Sequence, residues 1–149
     1  MRAVIQRVKH ARVEVDKKIV GQIEAGLLVY LGVGKEDSQT DAQFMADKLI
    51  NLRIFADEND KMNLSIRDTA GQILLISQFT LYGDCRKGRR PGFDAAALPG
   101  RATQLYEHTI ELIRSAGITV QTGVFAAHMH VSSQNDGPVT FLLDSSRLF

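Results

Sequence analysis

A chain of 149 residues with a formal net charge of +1 and 44% apolar residues is long enough to bury one ordinary core. Its near-neutral charge excludes a general polyanion binder, so any nucleic-acid contact has to come from a local basic patch. No stretch approaches the roughly 20 apolar residues of a membrane span, and the single cysteine, Cys85, excludes an internal disulfide.

The first residues, Met1-Arg2-Ala3-Val4-Ile5-Gln6-Arg7-Val8, meet charge too early for a signal peptide, which predicts an N-terminal strand in a cytoplasmic protein. Residues 3–15 are rich in β-branched side chains, and Asp16-Lys17-Lys18 supplies a polar turn before residues 19–23, which predicts a hairpin. Leu27-Leu28-Val29-Tyr30-Leu31 is an unbroken apolar run and predicts a strand buried on both faces. The period then changes. Ala42, Met45, Ala46, Leu49 and Leu52 fall at helical spacing, with Ser38 or Thr40 available as N-cap. Residues 53–55 read as a short strand and 56–63 as a polar loop. Ile73-Leu74-Leu75-Ile76 is a second buried run, feeding into Ser77-Gln78-Phe79-Thr80-Leu81, and residues 82–93 have loop composition. A second helix starts near Pro99-Gly100-Arg101, presents Ala102, Leu105, Tyr106, Leu112, Ile113 and Ala116 on one face, and stops at Gly117. Strands follow over 118–124, 128–132 and 139–143, with a turn at 134–137. This order predicts an α/β fold, a mixed β-sheet with a second β layer and two covering helices. No repeat, low-complexity tract or linker divides the chain, which predicts a single domain over residues 1–149.

The chemistry-bearing residues are few. His128 and His130 lie two apart, so a strand puts both on one face, but no third ligand has a metal-site spacing and no metal is expected. Gly32-Val33-Gly34-Lys35 has the spacing of neither a P-loop nor a dinucleotide fingerprint, and no cofactor is expected. Cys85 beside Arg86 meets one condition for a reactive thiol, although an incidental thiol in a polar loop is the plainer reading. Ser77 and Thr80 stand where a buried strand meets a polar loop. A hydroxyl nucleophile needs a base, and no local motif joins His10, His108, His128 or His130 to them. Arg86, Lys87, Arg89 and Arg90, interleaved with Gly88, form a cluster that either holds phosphates or is simply solvated. Gly137-Pro138 alone is equally open, since a Gly-Pro turn needs no function.

Together these segments resemble the D-aminoacyl-tRNA deacylases. Ser77-Gln78-Phe79-Thr80-Leu81 is similar to that family's first signature and Asn135-Asp136-Gly137-Pro138-Val139-Thr140 to its second. The resemblance spans nearly the whole chain, including Ile5-Gln6-Arg7-Val8, Gly26-Leu27-Leu28-Val29, Lys61-Met62-Asn63, Lys87-Gly88 with Arg90-Pro91, and Gln121-Thr122-Gly123 with Phe125-Ala126. It implies a homodimer that hydrolyses the ester between a D-amino acid, or mischarged glycine, and the 3′ terminal adenosine of tRNA. It also implies a cis Gly137-Pro138 bond that reaches into the partner's pocket, where its carbonyls collide with an L side chain. By resemblance Arg7 steadies that motif, and Phe125 and Met129 hold the adenine. Ser77, Gln78, Phe79 and Thr80 form the catalytic segment, with the N–H groups near Phe79 and Thr80 stabilising an oxyanion beside the RNA's own 2′-OH. The alternative, Thr80 as covalent nucleophile, lacks a visible base. Two positions depart from the family's habit, Gly92 after Arg-Pro and His128 on the adenine side.

Three rival readings make different predictions. A related deacylase editing L-alanyl-tRNA would differ inside both signatures. A non-catalytic nucleic-acid-binding module would use Arg86–Arg90 and bind RNA in a salt-sensitive way. A general Ser or Cys esterase would turn over small esters and depend on Ser77 or Cys85.

Overall fold

The structure is a computed structural model and describes residues 1–148. Its spine is β1 (Arg2–Val15), which lies antiparallel to β8 (His130–Asp144) along one edge. Along its other edge β1 pairs first with β3 (Gly26–Gly32) and then, after Val8, with β2 (Lys18–Ile23). β3 continues the sheet by parallel pairing to β6 (Gln72–Ser77), and β6 pairs in parallel with β7 (Val120–Thr122). A small hairpin of β4 (Phe55–Ala56) and β5 (Met62–Leu64) stands apart from this six-stranded mixed sheet. The β1–β2 turn is made by Asp16 and Lys17, both at positive φ, as a two-residue hairpin turn requires.

The two apolar runs sit where their composition directs them, in the centre of the sheet with both faces covered. Leu27, Val29, Leu31, Ile73 and Leu75 face one way, against α1 (Gln39–Asn51) and α2 (Pro99–Ser115). α1 brings Met45 and Leu49 to this core and α2 brings Leu105, Ile110 and Ile113, all nearly inaccessible to solvent. Leu28, Leu74 and Ile76 face the other way, onto Val8, Ala11, Val13 and Ile23. This second β layer is the same sheet curling back on itself. β2 approaches β7 so closely that a Cβ on Gly21 would lie 2.5 Å from the Thr122 carbonyl oxygen. Burying each of these Leu and Ile side chains contributes about 1.5–3 kcal/mol, so the curl is stabilised by its own core.

α1 begins at Ser38, whose N–H and hydroxyl both donate to Asp41 Oδ2, each at 2.8 Å. α2 begins at Pro99, and Gly117 at φ +86° ends it. Among the described residues no helix is long and apolar enough to cross a membrane.

One local expectation is corrected. Residues 134–137 do not turn the chain; β8 runs through them as a bulged strand. Gln6 pairs with Thr140 and Val8 with Asn135, so Arg7 alone stands opposite the four residues from Asp136 to Val139. The turn-forming composition of Asp136-Gly137-Pro138 is used here to push backbone out of the ladder while pairing with β1 resumes on both sides.

Candidate active site

The sheet, α2 and the loop before β8 enclose a cavity of about 620 Å³. β6 delivers Ser77, Gln78 and Phe79 to it from the end of the buried strand. Phe93, Ala96 and Ala97 come from the long loop, Tyr106 from α2, and Phe125, His128 and Met129 from the loop that enters β8. Its walls are mainly apolar. Phe79 and Phe93 meet edge to face at 5.1 Å on the rim, and Phe125 lies 6.1 Å from the ring of Tyr106. The Tyr106 hydroxyl donates to the Leu75 carbonyl at 2.7 Å. Burial pushes its pKa far above the usual tyrosine range, so it remains a neutral donor at any physiological pH.

The strand ends at Ser77 and turns directly into a single 3₁₀ turn, Phe79–Tyr82. The Gln78 N–H still donates to the Leu31 carbonyl at 2.8 Å, which ties the start of the turn to β3. The next two N–H groups, of Phe79 and Thr80, have no backbone or side-chain acceptor among the described residues, as expected of the first donors of a helical turn. Thr80 is exposed, and its hydroxyl accepts from the Gln78 side-chain amide. Neither a histidine nor a carboxylate bonds to it among the described residues.

The turn rests on a glycine platform. A Cβ on Gly32 would lie 2.8 Å from the Gln78 carbonyl oxygen, and one on Gly34 would lie 2.7 Å from the Tyr82 ring. The stretch Gly32-Val33-Gly34, which fits no phosphate loop, is therefore a surface against which the Gln78–Tyr82 backbone packs. Behind it lies buried Asp37. Its carboxylate accepts from the Met1 amino group at 2.7 Å, from the Tyr82 hydroxyl at 3.0 Å and from the Gly34 N–H. Its carbonyl accepts from Arg101 Nη2 at 2.9 Å. Burial first, and then the charge of Asp37, push the Tyr82 hydroxyl far above its ordinary pKa, so it stays a donor. Arg2 adds a cation–π contact to the Tyr82 ring at 4.6 Å and a 3.2 Å hydrogen bond to the Leu81 carbonyl.

The second signature lies elsewhere in the chain. The Gly137-Pro138 peptide bond is cis, and both residues are exposed. Arg7 Nε stands 3.0 Å from Asp136 Oδ2, with Arg7 Nη1 donating to the Ile54 carbonyl. The Asn135 side-chain amide donates to the Arg7 carbonyl at 2.9 Å and to the Val139 carbonyl at 3.1 Å, which closes the base of the bulge. Of the residues singled out in the sequence, Ser77, Gln78, Phe79, Phe125 and Met129 line the cavity, whereas Arg7, Gly137 and Pro138 form a separate cluster. Thr80 stands just beyond the lining.

Sequence reasoning missed Asp37, Tyr82, Phe93, Tyr106 and Arg101 as parts of this site. Their only local signals were an acidic residue before a helix cap, a basic residue at a helix start, and aromatics in a loop or on an apolar helix face, all common in ordinary structure. Cys85 is exposed on the basic loop, outside the cavity lining. His128 and His130 meet edge to face at 4.8 Å, and no group of three metal-type side chains converges among the described residues.

Residues 4–144 match the family model described as D-Tyr-tRNA(Tyr) deacylase. A D-aminoacyl-tRNA deacylase of Thermotoga petrophila is 58% identical, and one of Clostridioides difficile 60% identical, over 149 residues and the whole of both chains. Among solved structures, one described as c-Myc DNA Unwinding Element Binding Protein has a TM-score of 0.91 and 38% identity, covering 97% of this chain and 98% of that one. A probable eukaryotic D-amino acid tRNA deacylase shares the fold at a TM-score of 0.85 and 17% identity, over 95% and 97% of the two chains. The protein is thus an enzyme, a hydrolase acting on aminoacyl-tRNA. It belongs to the D-aminoacyl-tRNA deacylase family.

Proposed function

We propose that this enzyme works as a homodimer in which the Gly137-Pro138 segment of each subunit completes the cavity of the other, admitting D-aminoacyl and glycyl esters of the terminal adenosine and rejecting L esters. The observation that carries this reading is the separation of the two signatures. The cavity has Ser77–Phe79 but no part of the second motif, while that motif is braced at its base and exposed at its tip. A partner chain joins them without altering either. Carbonyl groups held beside the substrate's α-carbon leave no room for an L side chain, and glycine, with none, passes.

Within the cavity, Phe125 and Met129 supply an aromatic face and a polarizable thioether for the adenine. The ester carbonyl then lies against the turn. Water adds to its carbon, negative charge grows on its oxygen, and the N–H groups of Phe79 and Thr80 stabilise that charge. The bond to the ribose 3′-oxygen breaks, and this oxygen leaves carrying a proton, with the adjacent 2′-OH of the substrate assisting. Two amides already without internal acceptors need little rearrangement to do this. The hydroxyls of Ser77 and Thr80 are not nucleophiles in this scheme.

Thr80→Ala tests it, because alanine keeps the backbone N–H. Turnover of D-aminoacyl-tRNA should remain within about threefold of the parent, whereas losing an oxyanion donor costs roughly 100–1,000-fold. Complete loss with an intact fold would favour the covalent nucleophile instead.

A further inference from the structure

We propose that the basic loop beside the cavity binds RNA backbone phosphates immediately upstream of the terminal adenosine, through Lys87 and Arg90 in its groove and the neighbouring Arg89. It rests on the reading of the cavity as the aminoacyl-adenosine site. Four cations in one short loop are ambiguous as sequence; their position decides between a phosphate site and a solvated loop. Gly92, Asp94 and Ala95 line the groove, while Phe93, Ala96 and Ala97 line the cavity, so one strand of backbone is the wall between the two. A ligand leaving the cavity over this wall enters the groove. For the 3′ end of an RNA, the group that joins the terminal nucleoside to the rest of the strand is its 5′-phosphate.

The loop is held as a unit rather than trailing in solvent. Asp84 and Gly92 exchange both backbone hydrogen bonds at its neck, at 2.7 and 3.0 Å. Within it, Asp84 fixes Arg86 by a two-point contact, Nη2 to Oδ2 at 2.7 Å and Nε to Oδ1 at 2.9 Å. Lys87, Arg89 and Arg90 are exposed and have no acidic partner among the described residues. Three uncompensated cations lie close together on a chain whose net charge is only +1. That arrangement costs self-repulsion in the free protein, and an anionic strand relieves it. Asp94 lies on the wall side of the groove, where it disfavours a phosphate seated too near the cavity and leaves the loop cations as the binding edge.

The test compares two substrates. One is D-aminoacyl-tRNA; the other is D-aminoacyl-adenosine, which presents the ester and the base with no upstream phosphate. In the triple variant Lys87→Ala, Arg89→Ala, Arg90→Ala, KM for the tRNA should rise about tenfold with kcat within twofold, and the dependence of log(kcat/KM) on log salt should flatten by roughly two units. Hydrolysis of D-aminoacyl-adenosine should be unchanged, and Lys87→Arg should keep the parent KM for tRNA. An unchanged KM and salt slope for tRNA would overturn the proposal, as would an equal loss on both substrates, which would make the loop a support of the cavity. Failure of the unaltered enzyme on both substrates would overturn the underlying reading of the cavity as well.

Discussion

Gly137→Ala should reduce deacylation of D-aminoacyl-tRNA by about 100-fold, equivalent to ~2.7 kcal/mol of transition-state stabilisation. Gly137 has φ +142°, a region L side chains rarely adopt. An added Cβ would lie 2.5 Å from the Val139 backbone nitrogen and 2.5 Å from its Cγ2. A side chain tip can move aside, but a backbone nitrogen moves only if the bulge moves. The base of the bulge is clamped by the Arg7–Asp136 ion pair and the two hydrogen bonds of Asn135, so the displacement is delivered to the exposed tip. On the reading proposed here that tip faces the partner's substrate. Positioning errors near 1 Å at a reacting centre are enough to cost such a factor. The strained backbone should also cost about 1–3 kcal/mol of stability, a modest drop in melting temperature that leaves the protein folded at the assay temperature. A variant with full activity would remove the second signature from the mechanism.

Asp37→Ala should produce the largest loss of stability, about 3–5 kcal/mol, because it leaves a buried ammonium without its counter-charge. In a chain of this size that lowers Tm by roughly 6–20 °C. The Met1 amino group is inaccessible to solvent and lies 2.7 Å from Asp37 Oδ1. The same carboxylate holds the Tyr82 hydroxyl and the Gly34 N–H, so the 3₁₀ turn bearing Phe79 and Thr80 should loosen along with the fold. Asp37→Asn keeps an acceptor and the shape of the side chain, and should be milder on both counts. Thermal unfolding and kcat measured on the same samples check this; a Tm within about 3 °C of the parent would mean that the network does not carry the load assigned to it.

Much of this architecture is legible in the sequence because it is written in local patterns. Two apolar runs of four or five residues bounded by glycine and polar residues have the length of central strands, and the spacing of Met45 and Leu49, or of Leu105 and Ile113, is that of a helix face. The curl is not local. It depends on β2 meeting β7 across a contact, Gly21 against Thr122, that no sequence window contains. The sequence predicts a turn over residues 134–137 because Asn-Asp-Gly favours departure from extended pairing, and nothing in those residues reveals that β1 pairs on both sides of a bulge at 136–139. The aromatic and amide parts of the candidate site come from the family resemblance, not from spacing. Asp37 escaped because its partners, Met1, Gly34, Tyr82 and Arg101, come together only through the fold.

Hydrolysis of matched D- and L-aminoacyl-tRNA, the same amino acid on the same tRNA, tests the central claim most directly. The D ester should be cleaved at least about 100-fold faster in kcat/KM, about 2.7 kcal/mol of discrimination set by exclusion of the L side chain. Equal rates on the two esters would contradict it.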